Sequence, residues 1–208
     1  MVTYPGLPGP VLTDHLSRTD SVSHYAPGTT FHIGRIDMVA NTGTYLDAPF
    51  HRFEGAVDLA GLPLASLVEL PGLLIDATRL PDRGIPAEFF ARHSVWGRAV
   101  LFRTGWDVHW RTPRYGDGHP FLTAEAAQAL VDGAAALVGV DSLNVDDTSD
   151  GTRPAHTKLL AAGIPIVEHL TNLGRLPAEG FRFSAVPAPV RGVGNFPVRA
   201  YAAFREVG

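Results

Sequence analysis

Between Asn41 and His51 the chain reads NTGTYLDAPFH, and its chemistry-bearing side chains are most concentrated there. Asp47 and His51 stand four residues apart. Pro49 stiffens the backbone between them, and Gly43 permits conformations that other residues avoid. A carboxylate and an imidazole on such a restrained loop have two uses: to share a metal ion, or to work as a base and the group that orients it. A surface turn with incidental polar residues is the plain alternative, which a short motif alone does not exclude. Further along, Asp141 and Glu168 each follow a short apolar run, so they fall at the ends of buried strands, where open α/β sheets gather their ligand chemistry.

The elements that must position these groups are short. Partial alternation over Thr30 to Ala40 predicts a strand. The apolar runs Gly72 to Ala77, Ala99 to Arg103, Ala136 to Val140 and Ile164 to Val167 predict strands of a covered sheet. Helices are expected over Ala87 to His93, over Thr123 to Ala135 with Thr123 as its N-cap, and over His156 to Ala162, stopped by Gly163. Strand, helix and strand alternate in the second half, which points to an α/β fold with at least part of the sheet parallel. Trp106, at a strand end beside Gly105, is a candidate wall for a pocket that takes a flat substrate, and packing in the core serves it equally well. Asp141 is placed either to orient His156 or to cap the loop Asp146 to Gly151. His169 should alternate away from Glu168, toward a supporting or surface position.

Composition removes several classes of function. The 208 residues carry a net charge of −4 with no basic run, so nucleic acid is not an expected partner. There are no cysteines, which excludes disulfides, thiolate metal sites and a cysteine nucleophile. The first ten residues lack the basic and apolar regions of a signal peptide, and no apolar run reaches the roughly 20 residues that span a bilayer. A cytoplasmic protein with no membrane association is therefore expected. The length suits a single domain over 1–208. With 45% hydrophobic and only 18% charged residues, some surface is expected to be buried between copies of the chain.

Four collinear motifs resemble the metal-dependent cyclase/hydrolase family that includes bacterial arylformamidase, or kynurenine formamidase. That family's signature runs His-x-Gly-Thr-His-x-Asp-x-Pro-x-His. Here Gly43, Thr44, Asp47, Pro49 and His51 match it, while Asn41 and Tyr45 replace the two leading histidines. Leu101 to Trp106 (LFRTGW) and Val138 to Ser142 (VGVDS) resemble two of the family's strand ends. Ala155-His156 through Leu160, then Ile164 to Glu168 and Leu170 to Leu173, resemble its closing motif.

The resemblance implies a layered β/β/α fold, like that of swivelling domains, with a mixed sheet. It also implies a homo-oligomer, a dimer or tetramer, with residues 1–30 as an arm toward a neighbouring subunit. Carried over position by position, the surviving metal ligands are Asp47, His156 and Glu168, and His51 is the acid/base. The implied activity is hydrolysis of a small-molecule amide or related carbonyl compound, with Asn41, Tyr45 and Trp106 shaping the pocket.

Amide oxygen and protonated phenol are poor replacements for imidazole, so two ions should not be held. Three ligands suffice for one divalent ion, zinc or manganese. Two other readings stand beside this one. The first is a metal-free lyase, isomerase or cyclase working through His51 and Tyr45. The second is a binding protein that has kept the pocket and lost the chemistry.

Overall fold

In a computed structural model, the described residues, 3–204, form twelve strands and three α-helices. β1 (Val11–Leu16), α1 (Arg18–Ser21) and β2 (Ile33–Asp37) come first, followed by β3 (Tyr45–Asp47), β4 (Leu70–Asp76), β5 (Gly84–Ile85), β6 (Ala99–Arg103) and β7 (Phe121–Leu122). Then come α2 (Ala124–Asp132), β8 (Leu137–Val140), α3 (Pro154–Ala161), β9 (Ile166–Glu168), β10 (Arg182–Ser184), β11 (Asn195–Pro197) and β12 (Tyr201–Ala203). Eight strands form one mixed sheet in the order β11-β3-β9-β8-β6-β4-β10-β12. Its middle, β9-β8-β6-β4, is parallel, and the strands on either side join it antiparallel.

The four apolar runs are those middle strands. Being covered on both faces, they are apolar throughout, and alternation along them sorts residues between two cores. Val100 and Phe102 of β6, Val138 and Val140 of β8 and Ile166 of β9 face one core, together with Leu130 of α2 and Leu159 of α3. Leu101, Leu137 and Val167 face the other, which also holds Leu46 of β3 and Phe183 of β10. Those two strands stand five places apart in the sheet, so the sheet curls and closes its own second core. A mixed, curled sheet with helices laid on one face is the α/β architecture expected from the sequence.

Thr123 caps α2 as predicted, accepting the amide of Ala126 through its hydroxyl. The segment after Pro86 makes only a 3-10 turn, Ala87–Phe89, rather than the expected helix to His93. The signature segment is also more regular than the restrained loop expected of it. Tyr45 to Asp47 is a strand paired on both sides, followed by a 3-10 turn over Pro49–His51. β1 and β2 pair only with each other and leave Leu12, Ile33 and Ile36 exposed.

Candidate active site

Strand register assembles the site. Tyr45 lies opposite Glu168, and Asp47 opposite both Ile166 and Asn195. Directly paired residues point to the same face of a sheet. Tyr45, Asp47, Glu168 and Asn195 therefore share the face of Ile166, the one covered by α3. From the first turn of that helix comes His156, so segments more than 100 residues apart meet at one point.

Asp47 is fully buried, and neither carboxylate oxygen has a hydrogen-bond partner among the described residues. His51 Nε2 lies 3.7 Å from its Oδ1 and His156 Nε2 3.7 Å from its Oδ2, while Glu168 Oε1 lies 3.7 Å from His156 Nε2. These separations are too long for hydrogen bonds. They do suit donors gathered about a common centre, since ligand atoms of one four-coordinate ion at about 2.1 Å stand about 3.4 Å apart. Asp47, His51 and His156 offer ligand atoms that all lie within 4.8 Å of one another. An unpartnered buried carboxylate facing imidazole nitrogen is a donor set that one divalent ion satisfies.

His156 is held from behind by Asp146. The carboxylate takes Nδ1 at 2.7 Å and accepts the amides of Ala155 and His156 at the start of α3. The ring is thereby turned so that Nε2 faces Asp47 and Glu168. Burial works against the imidazolium, but the Asp146 hydrogen bond and the charges of Asp47 and Glu168 outweigh it and raise the pKa to about 10. Asp141, expected to be one candidate for this orienting role, does something else. It accepts from Thr104 N, Thr104 Oγ1 and Gly105 N, fastening the end of β6.

The two altered signature positions are both engaged. Tyr45 donates its phenol to Glu168 Oε2, and burial with the adjacent Glu168 charge pushes its pKa well up, so it remains a donor. Glu168 Oε1 accepts the amide of Val145. Burial, reinforced by the charge of Asp47, raises the Glu168 pKa against the opposing effect of His156. Asn41 accepts through Oδ1 from Asn195, whose amide nitrogen also lies 3.2 Å from His51 Nδ1. With Asn41 and Tyr45 tied up in this way, the residues fit one ion and not two. His51 is the member of the group that reaches solvent, its side chain 34% exposed against 7% for His156 and none for Asp47.

A cavity of about 390 Å³ is lined by Gly43, Thr44, Trp110, Tyr115 and His169 among others, and the His169 ring packs against that of Tyr45. Trp106 stands behind it, its indole N–H donated to the Tyr115 carbonyl. Trp110 supplies the wall that the sequence offered to Trp106. His169 is buried, contrary to a surface placement, because a left-handed backbone (φ 59°) turns it out of the strand and in among the aromatic rings. Neither Asp146 nor Asn195 carries a local sequence signal, since each is defined only by what the register and the α3 start bring beside it.

The family model described as "Putative cyclase" matches residues 8–147. This chain is a member of the cyclase family. The chain is 31% identical over 170 residues to the kynurenine formamidase of Bacillus cytotoxicus, covering 81% of this chain and 78% of that one. A solved structure described as a potential metal-dependent hydrolase with cyclase activity superposes with a TM-score of 0.75 at 28% identity, over 96% of this chain and 92% of the other. An isatin hydrolase bound to thioisatinate shares the fold, with a TM-score of 0.79 at 23% identity over 94% and 82% of the two chains.

Proposed function

We propose that this protein hydrolyses a carbon–nitrogen bond of a small amide, with Asp47, His156 and Glu168 holding one divalent ion, zinc or manganese, and His51 moving protons. The observation that carries the reading is the Asp47 carboxylate, buried and unpartnered beside two imidazoles. Hydrolase relatives in the same family support the reaction class. When bound, the ion supplies Lewis acidity for carbonyl polarisation and water activation.

The chain's own residues divide the remaining work. Asp47, His156 and Glu168 are buried. His51 alone of the four meets both solvent and Asp47, so it is placed to act as the general acid/base, exchanging protons with water and the departing nitrogen. Asn195 steadies its ring at Nδ1. Tyr45 spends its phenol proton on Glu168, which counts against a metal-free mechanism that needs that proton for the substrate. We also propose that the exposed β1–β2 hairpin packs against a second copy of the chain.

The test is elemental analysis by plasma mass spectrometry, on protein purified without chelators and dialysed against zinc or manganese, together with a formanilide hydrolysis assay. About one ion per chain is expected, lost in Asp47→Ala, with turnover that follows the ion and disappears in His51→Ala. Turnover unaffected by chelation sinks the ion-dependent reading. Absence of turnover with ligand affinity unchanged in His51→Ala favours the binding protein.

A further inference from the structure

The two imidazoles of the site are held at Nδ1 by partners of opposite kind. Behind His156 stands Asp146, a carboxylate that only accepts, so Nδ1 carries the proton and Nε2 keeps a lone pair for a ligand bond. Behind His51 stands the amide of Asn195, its Nδ2 3.2 Å from Nδ1. An amide nitrogen only donates, so here Nδ1 keeps the lone pair and the neutral ring carries its proton on Nε2.

Which end Asn195 presents is decided by its own neighbour. The same Nδ2 donates to Asn41 Oδ1 at 2.9 Å, and Asn195 is buried. Turned over, Asn195 would set its oxygen against that of Asn41, unless Asn41 turned over as well. Tyr45 opposes that second turn. Its phenol proton goes to Glu168, which leaves the phenol oxygen to accept. Against burial and the Glu168 charge, which push the Tyr45 pKa up, a hydrogen bond from Asn41 works to lower it, as a donor to that oxygen does. The Asn41 nitrogen therefore faces Tyr45, and its oxygen faces Asn195.

We propose that Asn41 is a positioning residue which, through Asn195, fixes the neutral His51 ring with its proton on Nε2, as a hydrogen-bond donor outside the ligand set. Asp47, His51 and His156 lie close enough to hold an ion together, but a protonated nitrogen has no lone pair to give. The N–H points instead toward Asp47 Oδ1, 3.7 Å away, where it serves an atom that gains electron density. One of the two replaced signature positions thus acts on the acid/base and not on the ion. Its use in turnover rests on the hydrolase reading, whereas the tautomer does not.

The test is long-range ¹H–¹⁵N correlation spectroscopy of protein labelled with ¹⁵N-histidine, in mildly alkaline buffer. The signals of His51 are identified by their loss in His51→Gln, and their pattern tells which ring nitrogen is protonated. The proton is expected on Nε2 over Nδ1 by about 10:1 or more, as one buried hydrogen bond implies. Zinc should move the His156 Nε2 resonance and leave the His51 pattern as it was. In Asn41→Leu, which frees the Asn195 amide to present either end, the ratio should fall below about 3:1. Asn41→Asp, which restores the acceptor, should return it to the wild-type value. In anilide hydrolysis, kcat should drop about 10-fold in Asn41→Leu and recover in Asn41→Asp, with KM within about 2-fold throughout. A wild-type ring protonated on Nδ1, a ratio that Asn41→Leu leaves alone, or a His51 Nε2 that zinc strips of its proton would overturn the proposal. The expected tautomer in a protein that hydrolyses no anilide would instead overturn the hydrolase reading and leave this one standing.

Discussion

The imidazole of His156 is aimed by one carboxylate toward two others, and that aim can be measured apart from turnover. In Asp146→Ala the ring loses its Nδ1 partner, and the amides of Ala155 and His156 lose their acceptor. Zinc affinity should fall about 10- to 100-fold, the usual effect of deleting the group behind a histidine ligand, as read by competition with a chromogenic chelator. An unchanged affinity would mean that the helix start alone positions the ring. Tyr45→Phe makes a separate point. It strips the phenol donor from a fully buried carboxylate oxygen, which should cost about 1–3 kcal/mol of stability in urea denaturation. Stability equal to wild type would show that Asn144, 3.3 Å from the same oxygen, takes over the bond.

Single elements transmit position to His51. The 194 backbone runs so close to the turn after β3 that a Cβ there would meet His51 N at 2.4 Å, and its carbonyl accepts the Ala48 amide at 2.7 Å. Gly194→Ala should therefore displace the turn, with a loss of about 1–3 kcal/mol and a fall in turnover out of proportion to it. Matching drops in folded fraction and rate would reduce the effect to simple unfolding. The parallel middle of the sheet and α2 were legible in sequence because unbroken apolar runs and an N-cap are local signals. The short outer strands β10, β11 and β12 were not, since three-residue strands draw their register from their partners. The same holds inside the site: Asp47, His51, His156 and Glu168 lie in motifs with readable spacing, whereas Asp146 and Asn195 acquire their neighbours only when the sheet curls. Ala87 to His93 read as a helix for the converse reason: a proline start is a local cue, and the tertiary structure kept only one turn of it.

For the molecule as a whole, the β1–β2 hairpin is the part left without a core. Leu12 and Ile36, paired across the two strands, are exposed on one face, and Ile33 is exposed on the other. Association through this face predicts a dimer or larger species in sedimentation velocity, shifted toward monomer by Leu12→Lys with Ile36→Glu, with the sheet intact by circular dichroism. A monomer at all concentrations in the unaltered protein would refute it. No helix among the described residues is long and apolar enough to cross a membrane.

The distance along the chain between the parts of the site has a consequence for how the protein comes into being. β3 is laid down within the first 50 residues, its partner β9 ends at residue 168, and the strand on its other flank, β11, spans 195–197. During synthesis Asp47 therefore waits, with neither neighbour in place, while about 120 residues are made, and the asparagine that steadies His51 comes last of all. Closing contacts of such long range is slow. The nascent chain therefore carries β3 long before either of its partner strands exists, and the site is complete only once β11 has been made.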